Sequence, residues 1–377
     1  MTRSVRSGLE PDRQRLYAVD GLRGVAALLV VLFHLLRNSP QHAVLAETLP
    51  GVVQTVLDYG RSGVAVFFVL SGFVIGLTTG NLGYRVVDGL RYSLRRQIRP
   101  DPPYYVVVLL VVALAVAEHW VPGLAYRSIS ISDVTWNLVY LQGFVNAQPL
   151  LAVAWTLWLE VQFYLVVVVI HVISGAVTRS EEDRSRVRHL LGVVLAVVSL
   201  ALPFTGLASG PTFIGGWWMF ALGLVLSWLA SGRIPAGGAV AAVVACAGWC
   251  GAVNLTGRAD PWHGEWFSVA TALALLSLTR RGGLAWRPPT PWLFLGSISY
   301  SLYLVHLPVI DYALGAFFKL TGDSPTFAVA AYLLGLGGAV GAAVALNRVV
   351  ERPAMSWSRR VRIGPDDCRP ARQRRSG

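Results

Sequence analysis

Charged side chains are scarce in this sequence. Only 14% of its 377 residues are charged, whereas 54% are apolar. A water-soluble domain of this length and composition would expose large apolar patches to solvent. A membrane removes that problem, because a helix crosses the hydrocarbon layer with roughly 20 mostly apolar residues. The composition therefore excludes an ordinary soluble protein and predicts an integral membrane protein.

Cysteine is nearly absent, and so is any cleavable leader. The chain has three cysteines, of which Cys246 and Cys250 fall in an apolar run and Cys368 falls near the C-terminus. This spacing is not that of a disulfide framework or a metal site, so we expect neither. The first 20 residues contain no apolar core that ends in a small-residue cleavage site, so we expect the first span to remain as an anchor.

Ten apolar stretches are long enough, or nearly long enough, to cross a membrane as helices. They cover about residues 22–36, 62–79, 103–121, 152–176, 190–204, 212–230, 235–254, 266–279, 292–314 and 326–347. The apolar piece from Trp136 to Gln142 is short, so we interpret it as interfacial or re-entrant. The predicted fold is all-α, a polytopic transmembrane helical bundle of about ten spans, or eleven if that piece crosses.

Arg and Lys are unevenly distributed among the predicted loops. With a cytoplasmic N-terminus, most of the 32 basic residues fall inside, and those outside are Arg37, Arg61, Arg127, Arg258 and Lys319. Cytoplasmic loops collect Arg and Lys, so we expect both termini to be cytoplasmic. The net charge of +12 then reflects topology and does not indicate nucleic acid. We divide the chain into a basic N-terminal segment (1–20), a transmembrane domain (21–353) and a basic, disordered tail (354–377).

Ionisable side chains within the predicted spans are few, and they mark a candidate site because burying them costs several kcal/mol. Arg23 and His34 project from one face of the first span, about 16 Å apart along its axis. The simple alternative is an interfacial Arg and a hydrogen-bonded structural His. Glu160, in the fourth span, is a carboxylate that requires a partner.

Polar residues in the ninth span fall on one stripe. Ser299, Tyr303 and His306 are spaced i, i+4 and i+7, which places them on one helix face. Counting 1.5 Å per residue, His34 and His306 lie about 20 Å from the inner membrane face, and Glu160 lies about 12 to 14 Å from the outer one. The sequence therefore predicts that polar groups of several spans meet in the outer half of the membrane.

A basic cluster precedes the third predicted span. Arg95, Arg96 and Arg99 would lie at the cytoplasmic face in this topology. They either follow the positive-inside distribution and bind lipid headgroups, or they form a site for several phosphates, to which the guanidinium fork is suited.

Six segments of the chain match the pattern of a known family. In family order they are YAVDGLRGVAALLVVLFH (17–34), GVAVFFVLSGFVI (63–75), RRQIRPDPPYY (95–105), AWTLWLEVQFYL (154–165), GSISYSLYLVHLP (296–308) and ERP (351–353). On these segments the chain resembles the acyltransferase-3 family of bacterial membrane O-acyltransferases, in a standalone form without the hydrolase-like domain that some members carry. Ala65 and Pro100 depart from the family pattern.

The resemblance implies an enzyme of the bacterial inner membrane. It would transfer an acyl group, with acetyl as the first expectation, from cytoplasmic acyl-CoA to a hydroxyl of a saccharide or glycolipid-like acceptor, with no permanently bound cofactor. Arg23 and His34 fall on the Arg-x10-His pair of the family, and Glu160 falls on its intramembrane glutamate. The basic cluster of the family falls on Arg95, Arg96 and Arg99.

These matches suggest a role for each residue. The arginines would hold the CoA phosphates, and His34 would act either as general base or as transient acyl carrier. Glu160 would orient and polarise the imidazole or take up the proton. Hydrogen bonds to the oxyanion would come from Ser299 and Tyr303, with His306 at the same site. The alternatives from the residues alone are a secondary transporter and a non-catalytic scaffold or sensor.

Overall fold

The computed structural model describes residues 16–40, 42–118, 128–207, 212–258, 264–322 and 324–361. Residues 1–15 and 362–377 make up most of the predicted N-terminal segment and tail, and they lie outside the described residues, as do the last residues of the predicted third span.

Helices dominate the described chain, in which no β-strand occurs. In chain order they are α1 (Tyr17–Arg37), α2 (His42–Thr48), α3 (Gly51–Asp58), α4 (Gly63–Thr78), α5 (Val86–Gln97), α6 (Asp101–Glu118), α7 (Ile131–Leu138), α8 (Ala154–Val177), α9 (Glu181–Thr205), α10 (Trp217–Ala230), α11 (Ala236–Leu255), α12 (Gly264–Arg280), α13 (Thr290–Pro308), α14 (Gly315–Thr321), α15 (Pro325–Leu346) and α16 (Arg352–Ser358). Short π-helical pieces join α13 to α14 and α15 to α16.

The predicted all-α transmembrane bundle is confirmed. Within the described ranges, eight helical stretches are long and apolar enough to cross a membrane, and the bent pair α5 and α6 makes a ninth. Helix α12, with 17 residues, coincides with the remaining predicted span. Helix α7 has eight residues and is about 12 Å long, too short to cross, in keeping with an interfacial or re-entrant piece.

The third span differs from its prediction, because α5 belongs to it. Helix α5 packs on α8 so closely that a Cβ on Gly89 would come within 2.5 Å of Val168. Helices α5 and α6 meet at a bend of 47°, where Pro100, Pro102 and Pro103 cannot donate backbone hydrogen bonds. The basic cluster at the end of α5 therefore lies at this bend, where Arg96 reaches Glu160 on α8.

Small residues bring the central helices into close contact. A Cβ on Gly24 of α1 would lie 2.5 Å from the carbonyl oxygen of Trp292 on α13, and one on Gly296 would collide with the backbone of Asp20. Glycine at such contacts lets helix backbones approach one another in a membrane. The approach of α1 to α13 sets His34 against His306.

Candidate active site

Two histidines face each other at the α1–α13 contact. The Nε2 atom of His306 lies 3.3 Å from Nδ1 of His34, with ring centroids 4.9 Å apart. Nδ1 of His34 also lies 2.8 Å from the Val30 carbonyl oxygen, and Nδ1 of His306 lies 3.2 Å from that of Leu302. Since a carbonyl only accepts, each Nδ1 carries a proton in this arrangement. The neutral His34 ring then keeps a basic lone pair on Nε2.

The two rings differ in access. His306 is fully buried, whereas His34 is partly exposed. Burial holds His306 as a second, longer acceptor at 3.3 Å for the Nδ1 proton that His34 donates to the Val30 carbonyl at 2.8 Å. His34 is therefore the histidine of the pair that a substrate can reach.

Tyr303 and Ser299 are not directed at the histidine pair as donors. The Tyr303 hydroxyl lies 2.9 Å from Oγ1 of Thr156 and donates to the Val153 carbonyl oxygen at 3.2 Å. Ser299 donates to the carbonyl of Gly296 at 2.9 Å, the usual local bond of a serine inside a helix. The predicted oxyanion-donor roles of both residues find no support in this geometry.

Tyr303 instead ties α13 to α8. Its ring centroid is 5.8 Å from that of His306, and its hydroxyl contacts Thr156, one helical turn before Glu160. The contact fixes the position of α8 along the bundle axis relative to the histidines. Tyr303 is thus placed to position His306 through packing.

Glu160 is paired with an arginine and does not contact His34. Its Oε1 atom accepts a hydrogen bond from Nη2 of Arg96 at 2.8 Å and one from the Ser71 hydroxyl at 3.2 Å. A carboxylate in an apolar span is stabilised most by a full positive charge, which α5 supplies. From helix rise, Glu160 lies about 10 Å from the histidines along the bundle axis. In this structure the partners of Glu160 are Arg96 and Ser71, so its orienting role toward the imidazole stays a prediction.

The arginines form a cluster inside the bundle. Arg99 lies in the α5–α6 turn, within electrostatic range of Arg23 and Arg96 and of the carboxylates of Glu160 and Glu351. The structure thus brings Arg23, Arg96 and Arg99 together. Arg95 makes no hydrogen bond or ion pair with any described residue.

Side chains of this cluster remain partly accessible. Glu160 retains 34% of its side-chain exposure and Arg96 retains 21%, although both point between helices. Arg99 is exposed even though protein surrounds it. The cluster is therefore not fully shielded from solvent. Guanidinium groups that remain accessible are suited to an anionic ligand.

Sequence reasoning missed the carboxylate of Glu351. It is buried and accepts hydrogen bonds from Ser301 at 2.6 Å and from Nδ2 of Asn347 at 2.8 Å. Glu351 belongs to a segment that carries the family resemblance, but no role followed from that match. An acidic residue at the end of the last long apolar run was the available signal.

A polar network that the sequence did not reveal holds the arginine turn. Tyr300 donates to the Pro100 carbonyl oxygen at 2.8 Å. Asp101 accepts hydrogen bonds from Tyr140 at 2.9 Å and from Nε2 of Gln97 at 2.6 Å. These bonds fix the turn that carries Arg99 against α13. Among the described residues no group of three His, Cys, Asp or Glu side chains could hold a metal ion.

Comparison with known proteins shows which family the chain matches. Residues 16–348 match the acyltransferase domain that defines the acyltransferase-3 family. The chain is 30% identical to "Putative membrane-bound transacylase BcsY" of Komagataeibacter xylinus, over 84% of this chain and 80% of that protein. It is 26% identical to "Exopolysaccharide production protein ExoZ" of Rhizobium meliloti, over 81% of this chain and 92% of that protein.

A third relative is longer. The chain is 27% identical to "Putative peptidoglycan O-acetyltransferase YrhL" of Bacillus subtilis, over 78% of this chain and 48% of that protein. No solved structure matches the chain. The family match covers the helices that carry His34, the arginine cluster, Glu160 and His306. The protein is therefore a multi-pass membrane acyltransferase, and the chain belongs to the acyltransferase-3 family.

Proposed function

We propose that this acyltransferase moves an acyl group, with acetyl as the first expectation, from cytoplasmic acyl-CoA to a hydroxyl of a saccharide or glycolipid acceptor. The observation that carries the proposal is the pairing of His34 with His306 in a bundle that also gathers Arg23, Arg96 and Arg99. Transport or scaffolding loses its support as an alternative, because the family is one of acyltransferases.

The arginine cluster is the proposed site for the CoA phosphates. Arg23, Arg96 and Arg99 present forked donors, and Glu160 fixes one of the three guanidinium groups. About 16 Å of helix separates Arg23 from His34, a distance comparable to that from the nucleotide to the thioester of extended CoA. The acyl carbon would then arrive beside His34.

Nε2 of His34 is the proposed base. It takes the acceptor proton as the hydroxyl oxygen bonds to the thioester carbonyl carbon. The C–S bond then breaks, and the CoA sulfur takes the proton from His34 and leaves as the thiol. His306 accepts from Nδ1 of His34 and so stabilises the imidazolium. The alternative, attack of the same Nε2 on the thioester to form an acyl-imidazole, uses the same geometry.

The names of two relatives support a carbohydrate acceptor, since one refers to peptidoglycan and the other to exopolysaccharide. The distribution of Arg and Lys supports a bacterial inner membrane location with both termini cytoplasmic. The acyl-CoA would then approach from the side on which CoA is made.

The proposal is tested by mass spectrometry of cell-envelope saccharides and secreted glycolipids from cells with and without the protein. We expect one species to lose an alkali-labile acyl mass increment. The wild type and His42→Ala, a control histidine on α2, should restore the increment, and His34→Ala should not. An unchanged saccharide and glycolipid profile would contradict the proposal.

A further inference from the structure

A cationic cavity lies apart from the proposed active site. Thr79, His171, Arg188, His189, Trp228 and Arg233 contribute to its lining, between the ends of α4, α8, α9 and α10. His171 is eleven residues beyond Glu160 on α8, which is about 16 Å along the helix. The cavity lies at the end of the bundle where Arg and Lys concentrate.

Positive charge dominates this cavity. Two guanidinium groups carry that charge, those of Arg188 and Arg233, and the imidazoles of His171 and His189 line the wall beside them. The acidic neighbour is Glu181, which already accepts hydrogen bonds from Arg188 at 2.9 Å and from the Tyr84 hydroxyl at 2.7 Å. The protein therefore leaves the positive charge of this cavity only partly compensated.

Packing holds the groups that line the cavity in place. Tyr84 stacks on His171 with ring centroids 6.4 Å apart, and its hydroxyl accepts from Arg188 at 2.6 Å. Burial raises the pKa of Tyr84, so its hydroxyl stays protonated and can donate to Glu181. The guanidinium of Arg233 packs on Gly80, where a Cβ would lie 2.5 Å from Nη2. The cavity is thus built before any ligand arrives.

Two donors in the cavity have no protein acceptor. Neither Arg233 nor His189 forms a hydrogen bond or ion pair with a described residue. His189 instead lies against Trp228, with ring centroids 4.0 Å apart. The volume of about 30 Å³ accommodates two or three water-sized groups, at about 10–15 Å³ each. A ligand that complements this cavity must bring negative oxygen atoms, of which one or two enter it while the rest of the group stays at its opening.

We propose that this cavity binds a phosphate monoester or diester. Arg188 is the fixed anchor, while Arg233 and His189 donate to the remaining phosphate oxygens. Guanidinium groups bind phosphate oxygens through charge-assisted hydrogen bonds. The phosphate belongs either to the headgroup of an anionic phospholipid or to a free phosphate compound, and both present the same group. This site is independent of the acyl-transfer proposal, because it shares no residue with the arginine cluster near His34.

The first experimental arm measures lipid retention. Native mass spectrometry of the purified full chain, exchanged into nanodiscs of phosphatidylglycerol and phosphatidylcholine, reports the anionic lipids that remain bound. We expect Arg233→Gln to retain about tenfold less phosphatidylglycerol than the wild type, as the loss of a charged hydrogen bond implies. Arg186→Gln, an exposed arginine on the same face of the membrane, serves as the matched control.

The second arm tests free phosphate. Inorganic phosphate is titrated against the melting temperature of the detergent-solubilised protein, with ionic strength held constant by chloride. If phosphate raises the melting temperature of the wild type and of Arg186→Gln but not that of Arg233→Gln, the ligand is a free phosphate compound. If Arg233→Gln retains less phosphatidylglycerol and phosphate does not raise the melting temperature of the wild type, the ligand is a phospholipid. Equal lipid retention and equal melting shifts in all three proteins would overturn the proposal. Arg233 forms no hydrogen bond or ion pair with a described residue, and the unfolding temperature of Arg233→Gln without ligand, compared with that of the wild type, checks that the variant is folded.

Discussion

The Nε2 atom of His306 and the Nδ1 atom of His34 lie 3.3 Å apart across the contact of α1 and α13. This pairing leaves one imidazole partly exposed and keeps the second buried behind it. The buried ring can share the proton on Nδ1 of His34, which favours formation of an imidazolium during acyl transfer.

Replacement of His306 tests that relationship. His306→Ala should lower kcat by about 10²-fold, in the range of a supporting acid–base group, while KM for acyl-CoA changes little. His306→Gln keeps an acceptor near His34 and should recover part of the rate. Steady-state kinetics in proteoliposomes measures both constants, with His42→Ala as the control. If kcat falls equally in His306→Ala and His306→Gln, the role of His306 is in packing and not in accepting a hydrogen bond.

We expect Glu160 to support the binding of acyl-CoA and not to orient the imidazole of His34. Glu160→Gln frees Arg96 from its 2.8 Å partner, so we expect apparent acyl-CoA affinity to fall by about tenfold, the effect of one charge-assisted hydrogen bond. Ser71→Ala, which removes the weaker 3.2 Å contact with the same carboxylate, should have a smaller effect. A fall in kcat with unchanged affinity would restore the view that Glu160 orients His34.

Arg99 and Arg95 provide a matched pair for the phosphate site. Arg99 lies within the cluster, whereas Arg95 has no ion-pair partner among the described residues. Arg99→Gln should weaken acyl-CoA binding by about 10- to 100-fold, and Arg95→Gln should weaken it less. Equilibrium binding measures both. Acyl-pantetheine lacks the nucleotide phosphates, so it should bind equally well to the wild type and to both variants. If Arg99→Gln weakens binding of acyl-pantetheine as much as binding of acyl-CoA, the phosphate role is contradicted.

Gly296→Ala tests the helix contact that aligns the histidines. The added methyl group collides with the backbone of Asp20, so we expect destabilisation of about 1–3 kcal/mol and a loss of activity. Gly337→Ala on α15, where a Cβ meets nothing within 4 Å, should leave both unchanged. Melting temperature and turnover are the measurements. If Gly296→Ala keeps the melting temperature and turnover of the wild type, the close contact of α1 and α13 is not needed to align the histidines.

Helix rise explains why the sequence placed some of these residues correctly. The depths of His34 and His306 follow from counting along two apolar spans, and the structure brings these two residues together. The partner of Glu160 did not follow, because α5 is polar at its end and looked like a cytoplasmic loop. The Tyr303–Thr156 contact depends on how α8 and α13 are rotated about their axes, which apolar runs with little amphipathic pattern do not specify.

The most direct test of the central claim uses inverted membrane vesicles, in which the cytoplasmic face is outside and the endogenous acceptors are enclosed. Labelled acetyl-CoA is added outside, and alkali-labile label on luminal saccharide or glycolipid is measured. We predict labelling of the enclosed acceptor by the wild type and His42→Ala, with loss of labelling in His34→Ala. Labelling that persists in His34→Ala, or that remains only on the outer side of the vesicles, would contradict the account.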